Sequence, residues 1–216
     1  MPAARGDLPG ATPADDGRDL PLVLASGSPQ RRQLLARLGV QFTVRVTGAS
    51  ELEQGADPAA LAVENALRKA RAAVLPGASE WLLGCDTIVV LDGVVYGKPP
   101  DVRAARETLA ALAGRTHEVI SGLALLRVQA GSERDVRTAH ARTRVTFKAL
   151  DEEWLVRHLD SGEWRGRSGG YAIQGAAAEL VQEIDGELEN VVGLPLLALV
   201  QLCPELFEIG RAPAGA

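Results

Sequence analysis

The chain has 216 residues, enough for one domain of ordinary α/β size with a core able to fold alone. Its formal net charge of −5 excludes a general nucleic-acid binder, which needs a basic surface, yet leaves room for a small basic pocket. No apolar run reaches the ~18 residues of a membrane span, and Cys85 and Cys203 lack metal-ligand spacing and suit buried hydrophobes better than a disulfide framework.

Met1 to Asp19 are rich in Pro, Gly, Ala and Asp and lack an apolar stretch. They read as a disordered tail and not as a signal peptide, so the cytoplasm is the expected compartment. Residues 20–25 form a short apolar run closed by Ser26-Gly27-Ser28-Pro29, which predicts a buried first strand, a tight turn and a helix over 31–38 stopped by Gly39. Phe42, Val44 and Val46 alternate as a second strand. Asp57-Pro58 opens a long helix with proline at its first position, broken at Pro76-Gly77. Strands over 81–91 and 94–96 bracket the hairpin signal Asp92-Gly93. Asp101 caps an amphipathic helix over 102–112, ended by Gly114. Two long β runs follow at 116–128 and 135–147, with Gly131-Ser132 between them, and then a capped helix from Asp151 to Leu159. Residues 160–170 hold four glycines and two arginines and read as a mobile loop. A strand around 180–184, a turn at Asp185-Gly186 and a helix near 195–202 complete the pattern before a C-terminal tail, 209–216. Alternating strands and helices give way to hairpin-linked strands. The expected fold is therefore a single α/β domain over 20–208, a mixed, twisted sheet flanked by helices with a central cleft.

Gly84-Cys85-Asp86-Thr87-Ile88-Val89-Val90 is the segment most suggestive of chemistry. An acid at the margin of a buried strand is costly unless paired, hydrogen-bonded or metal-bound, so Asp86 is the first candidate, weighed against a turn aspartate that only closes the strand. Ser26, Ser28 and Arg31 lie where a strand hands over to a helix. That junction can cradle phosphate or simply cap the helix, and no Walker A pattern is present. Lys69, Lys98 and Arg115 add cations from separate segments, Lys98 on the constrained backbone of Gly97-Lys98-Pro99. Together with the acids Glu51 and Asp86, such cations are what a metal-bridged polyphosphate site needs. His117 reads as a structural residue. In Ser168 to Gly175, Tyr171 either stacks on a base or fills the core, and the Gln174 carboxamide suits a nucleobase edge.

Six short motifs in register resemble the Maf proteins: Ala25-Ser26-Gly27-Ser28-Pro29, Gly84-Cys85-Asp86-Thr87, Gly97-Lys98-Pro99, Gly114-Arg115-Thr116-His117, Tyr171-Ala172-Ile173-Gln174-Gly175 and Val192-Gly193-Leu194-Pro195. The resemblance covers roughly residues 21 to 207. It implies a Maf/ITPase-like fold and a house-cleaning pyrophosphatase that splits a nucleoside triphosphate into monophosphate and pyrophosphate with a divalent cation, Mg²⁺ or Mn²⁺. By the same resemblance Asp86 matches the catalytic acid and base, with Glu51 as a second acid near the metal. Arg31, Lys69 and Lys98 match phosphate-facing cations beside Ser26 and Ser28, while Gln30, Thr87 and Gln174 fall where the base is selected. The Tyr-Ala-Ile-Gln-Gly form resembles the branch acting on dTTP and UTP, with modified pyrimidine nucleotides as further substrates. Three departures stand out: Gln30 replaces an arginine, Gly166-Arg167 replaces an Asp-Lys pair, and Ser121 replaces a threonine. The alternative implied by the resemblance is a nucleotide-binding regulator of cell division without turnover. The expected partners are a nucleoside triphosphate and, at most, a second copy of the chain in a homodimer, with no nucleic acid and no membrane.

Overall fold

The computed structural model describes Gly17 and residues 19–207; the rest of the segments read as tails, 1–19 and 209–216, lies outside them. Seven strands form one mixed sheet in the order β2-β1-β3-β5-β6-β7, with β4 on β3. They are β1 (Leu22–Leu24), β2 (Phe42–Val44), β3 (Glu80–Leu91), β4 (Val94–Tyr96), β5 (Thr116–Gln129), β6 (Ser132–Phe147) and β7 (Val181–Asp185). Strand β1 runs parallel to both β2 and β3, whereas the pairings of β3 with β4 and β5, of β5 with β6 and of β6 with β7 are antiparallel. Parallel neighbours need a helical crossover, while antiparallel ones can be joined by a tight turn, as β3–β4 and β5–β6 are, or through longer segments, as β3–β5 and β6–β7 are. Helices α1 (Pro29–Ala36) and α2 (Pro58–Ala72) supply the crossovers, and Asp92-Gly93 and Ala130-Gly131, all at positive φ, supply the tight turns.

Helix α2 covers one face of the sheet with small side chains. Ala62, Ala66 and Ala70 are fully buried, and the strands opposite offer Gly84 and Gly122. A Cβ on Gly84 would stand 2.0 Å from the Ala66 carbonyl oxygen, and one on Gly122 2.3 Å from the Ala62 carbonyl carbon. Main chain thus lies almost on main chain. The opposite face carries two separate apolar clusters. At one end, α1 and α6 (Leu196–Leu202) pack Leu34, Leu35 and Leu199 over Leu83, Cys85 and Leu123. At the other, α3 (Val102–Leu112) and α4 (Glu152–Ser161) pack Leu109, Leu112 and Trp154 over Val89, Val119 and Phe147. Thr87 and Ser121, paired across β3 and β5, mark the seam between the clusters. A cleft opens there.

Aspartates cap three helices as the sequence suggests, Asp57 through the Ala59 N–H, Asp101 through Ala104 and Asp151 through Trp154. Four expectations need correction. Helix α5 (Leu188–Val192) occupies a stretch between the Asp185-Gly186 turn and the helix near 195–202 to which the sequence assigns no element. Strand β6 starts at Ser132, not at 135, because the turn is Ala130-Gly131. Residues 160–170 are pinned down: Trp164 is buried, the Gly169 N–H reaches the Gly97 carbonyl at 3.0 Å, and the Ser168 hydroxyl reaches the Thr87 carbonyl at 2.7 Å. Gly17, within the segment read as a tail, is buried, its carbonyl accepting from the Trp81 indole at 2.8 Å.

His117 is core, at 1% exposure, as the sequence reading holds. Its Nε2 lies 2.8 Å from the Tyr171 hydroxyl, its ring stands edge-on to Phe147, and Nδ1 finds no partner among the described residues. Burial lowers its pKa from 6.5 to about 4, so the fold keeps neutral an imidazole that the unfolded chain protonates more readily. With the folded value below the unfolded one, stability from this group is intact above pH 6.5. It falls by about 3 kcal/mol as the pH drops through the window down to 4. Urea titrations of His117→Gln should lose that part of the pH dependence; an unchanged slope would assign it to other groups.

Candidate active site

Strand β3 is flanked on one edge by β1, opposite Trp81 to Leu83, and by β4, opposite Val89 to Leu91. Between those pairings Gly84 to Ile88 has no strand beside it on that edge, because the chain leaving β1 turns away at Ser26 into α1. Asp86 and Thr87 sit in this gap. Successive strand residues face opposite sides, so Thr87 looks into the seam between the apolar clusters and Asp86 looks toward α2. The cleft has a volume of about 510 Å³, and ten of the residues singled out from the sequence line it: Ser26, Ser28, Gln30, Arg31, Glu51, Lys69, Asp86, Thr87, Lys98 and Gln174.

Two networks meet in the cleft. In the first, Ser28 caps α1 by accepting from the Arg31 N–H, and Pro29 fixes the first turn, so the Arg31 side chain leaves the helix at a set angle. Its guanidinium donates to the Gly193 carbonyl at 2.8 Å, to the Thr87 hydroxyl at 3.1 Å and to the Ser26 hydroxyl at 3.3 Å. Thr87 in turn lies 2.8 Å from the Ser121 hydroxyl. The cation is held flat across the floor by three neutral oxygens, none of which cancels its charge. Gln30, the departure from Arg, turns its carbonyl oxygen to the Ser28 hydroxyl at 3.2 Å.

The second network is ionic. Asp86, 3% exposed, accepts from the Lys69 ammonium at 2.5 Å and from the Asn65 amide at 3.1 Å. The same ammonium lies 2.7 Å from Glu51, which also takes Lys98 at 2.9 Å. Burial alone would raise the Glu51 carboxyl, but the hydrogen bonds from Lys69 and Lys98 outweigh it and bring the pKa down to about 2. Two acids far apart in sequence thus present their carboxylates to one lysine.

These donors fit a divalent cation of the Mg²⁺ or Mn²⁺ kind. The set is all oxygen, and Mg²⁺ is commonly held by one or two carboxylates with phosphate oxygens and water completing its shell. Among the described residues no group of three or more His, Cys, Asp or Glu side chains is placed to hold a metal ion. The cations lining the cleft, Arg31, Lys69, Lys98, Arg165 and Arg167, outnumber the carboxylates Glu51 and Asp86 five to two, a balance that suits a polyphosphate tail.

Not every candidate converges. Arg115 pairs with Asp92 at the exposed β3–β4 turn and takes no part in the cleft. Tyr171 is mostly core, 6% exposed and bonded to His117, with only part of it reaching the cleft. Conversely, Asn65 is not among the residues singled out, although an Asn on the buried face of an alanine-rich helix is a readable signal. Arg165 and Arg167 also line the cleft from the segment read as a loop. No described helix is long and apolar enough to cross a membrane.

A family model described as "Maf-like protein" matches residues 21–206. A dTTP/UTP pyrophosphatase of Symbiobacterium thermophilum is 45% identical over 196 residues, covering 90% of this chain and 98% of its own length. Another, from Deinococcus radiodurans, is 39% identical over 181 residues, 84% of this chain and 90% of its own. Among solved structures, a nucleoside-triphosphatase / dITP/XTP pyrophosphatase of Mycobacterium abscessus aligns with 61% of this chain and 76% of its own, at a TM-score of 0.41 and 16% identity. A likeness that distant decides nothing.

Proposed function

The chain belongs to the Maf-like protein family, and from that premise we propose that it is a nucleoside triphosphate pyrophosphatase leaning to dTTP and UTP, with residues 20–208 as the catalytic unit. The observation that carries the reading is the convergence of Asp86 and Glu51 on one lysine in a cleft that also holds Lys98 and an Arg31 whose charge no carboxylate cancels.

In this reading the triphosphate lies along the cleft with its tail toward Lys98 and Arg31. A carboxylate has about four acceptor sites, and Lys69 and Asn65 take one each, so Asp86 keeps capacity to accept a proton from water. As that water attacks the α phosphorus, the new P–O bond forms, the proton passes to Asp86, and the bond to the bridging oxygen breaks. The departing pyrophosphate takes the electron pair, and Lys69, Lys98 and Arg31 neutralise it. A divalent cation, when held by Asp86 and Glu51, would supply further polarisation of the phosphate. At the other end, Gln174 is exposed and makes no hydrogen bond among the described residues, leaving its carboxamide free for a base edge. Gln30 and Thr87 are the other positions facing that choice. The finer expectations are Mg²⁺ or Mn²⁺ as the metal, action on free nucleotides in the cytoplasm without nucleic acid or membrane, and a homodimer at most.

Incubating the protein with dTTP and Mg²⁺ or Mn²⁺ should yield dTMP and pyrophosphate in equal amounts. Tight binding of dTTP with no release of either product would favour a nucleotide-binding regulator and overturn the reading.

A further inference from the structure

Asn65 has no part in the chemistry proposed above, yet it is only 2% exposed and every polar hydrogen of its side chain is used. Its Oδ1 accepts from the Leu52 N–H at 2.7 Å. Its Nδ2 donates to the Leu52 carbonyl at 2.9 Å and to Asp86 Oδ2 at 3.1 Å. Both backbone groups of Leu52, the residue beside Glu51, are therefore read by the same carboxamide that holds the other acid. Between residues 46 and 56 the main chain makes no other hydrogen bond among the described residues. Among the described residues, the polar contacts that tie the Glu51 loop to the body of the molecule are those of this side chain and of Glu51 itself.

Helix stability does not explain the choice. Asn is a weaker helix former than Ala or Leu, and burying a carboxamide costs free energy that a small apolar side chain on this face would avoid. We infer that Asn65 is a positioning residue, a clamp that holds the Glu51 loop at the separation from Asp86 at which both acids reach Lys69. The clamp is a property of the loop; only its kinetic consequence rests on the pyrophosphatase reading.

Asn65→Leu keeps the bulk and removes the clamp. With dTTP and Mg²⁺, kcat should fall by about 10²-fold, the usual effect of a misplacement near 1 Å. KM should change little, since Arg31 keeps its bonds to Gly193, Thr87 and Ser26. Glu51→Gln should lower kcat as well, and in the double variant the two losses should not multiply, because both remove the same placement. Hydrogen exchange gives a readout independent of turnover: the Leu52 amide, protected in the wild type, should exchange freely in Asn65→Leu while the amides of β3 stay protected. If the leucine variant fails to fold, Asn65→Ala, with a stronger helix former, carries the same comparison. Unaltered exchange at Leu52, an unchanged kcat, or losses that multiply with those of Glu51→Gln would overturn the inference. A wild-type protein inert toward every triphosphate would instead sink the enzymatic reading, and the Leu52 exchange would then decide the clamp alone.

Discussion

Replacing Asp86 by asparagine should cut kcat for dTTP by about two orders of magnitude or more while leaving KM and the melting temperature near their wild-type values. The two side chains have the same shape, so the change tests charge and basicity with little effect on packing. The amide oxygen of the new carboxamide could still accept from Lys69 or Asn65, and Lys69 keeps Glu51 at 2.7 Å, so no ammonium is left buried without a partner. Arg31 and Lys98 hold their places through contacts that do not involve residue 86. What disappears is an oxygen basic enough to take a proton from water and one negative charge beside the phosphate path. Pyrophosphate release measured across substrate concentration separates kcat from KM, and a thermal melt checks the fold. Turnover close to wild type would remove Asp86 from the reaction, whatever the rest of the cleft does.

How much of this is readable beforehand depends on how local each signal is. The helix caps Asp57, Asp101 and Asp151 and the Asp92-Gly93 hairpin are all written within four residues, and each appears in the structure, whereas α1 starts at Pro29, inside the stretch read as a tight turn. Likewise Arg31, Asp86 and Lys98 each sit in a short segment whose chemistry shows by itself. Their meeting does not show. Nothing between Glu51 and Asp86 says that both reach Lys69; that depends on how closely α2 lies on β3, and on the Asn65 contact with Leu52. Arg115 shows the same gap from the other side. By local signs it equals Lys98, both being basic residues at the edge of a strand or turn. The register of β5 against the β3–β4 hairpin carries it to the exposed end, beside Asp92. Helix α5 escapes a sequence reading because it has only five residues and no side-chain cap. Asn190 inside it also reads as a turn former, while its amide is spent on the Val119 carbonyl and the Thr143 hydroxyl.

The close placement of α2 on the sheet leads to a large expected effect on stability. Gly84→Ala should destabilise the fold by about 3 kcal/mol or more, at the upper end for overpacking, and lower the melting temperature by roughly 10 °C. The added carbon would stand 2.0 Å from the Ala66 carbonyl oxygen and 3.0 Å from the Ala70 nitrogen, both main-chain atoms of α2 that no side-chain rotation can move aside. Relief requires the helix to lift by about 1.5 Å, since non-bonded heavy atoms settle near 3.5 Å. Asn65 and Lys69 flank Ala66 on that helix, so both would draw back from Asp86. The variant should therefore lose turnover by about 10²-fold even at temperatures where it is fully folded. Gly48→Ala is the control: its added carbon meets nothing within 4 Å, and stability should stay within about 0.5 kcal/mol of wild type. Were Gly84→Ala to melt with the wild type, or to keep full turnover while melting lower, the close seating of α2 would not be what brings lysine and aspartate together.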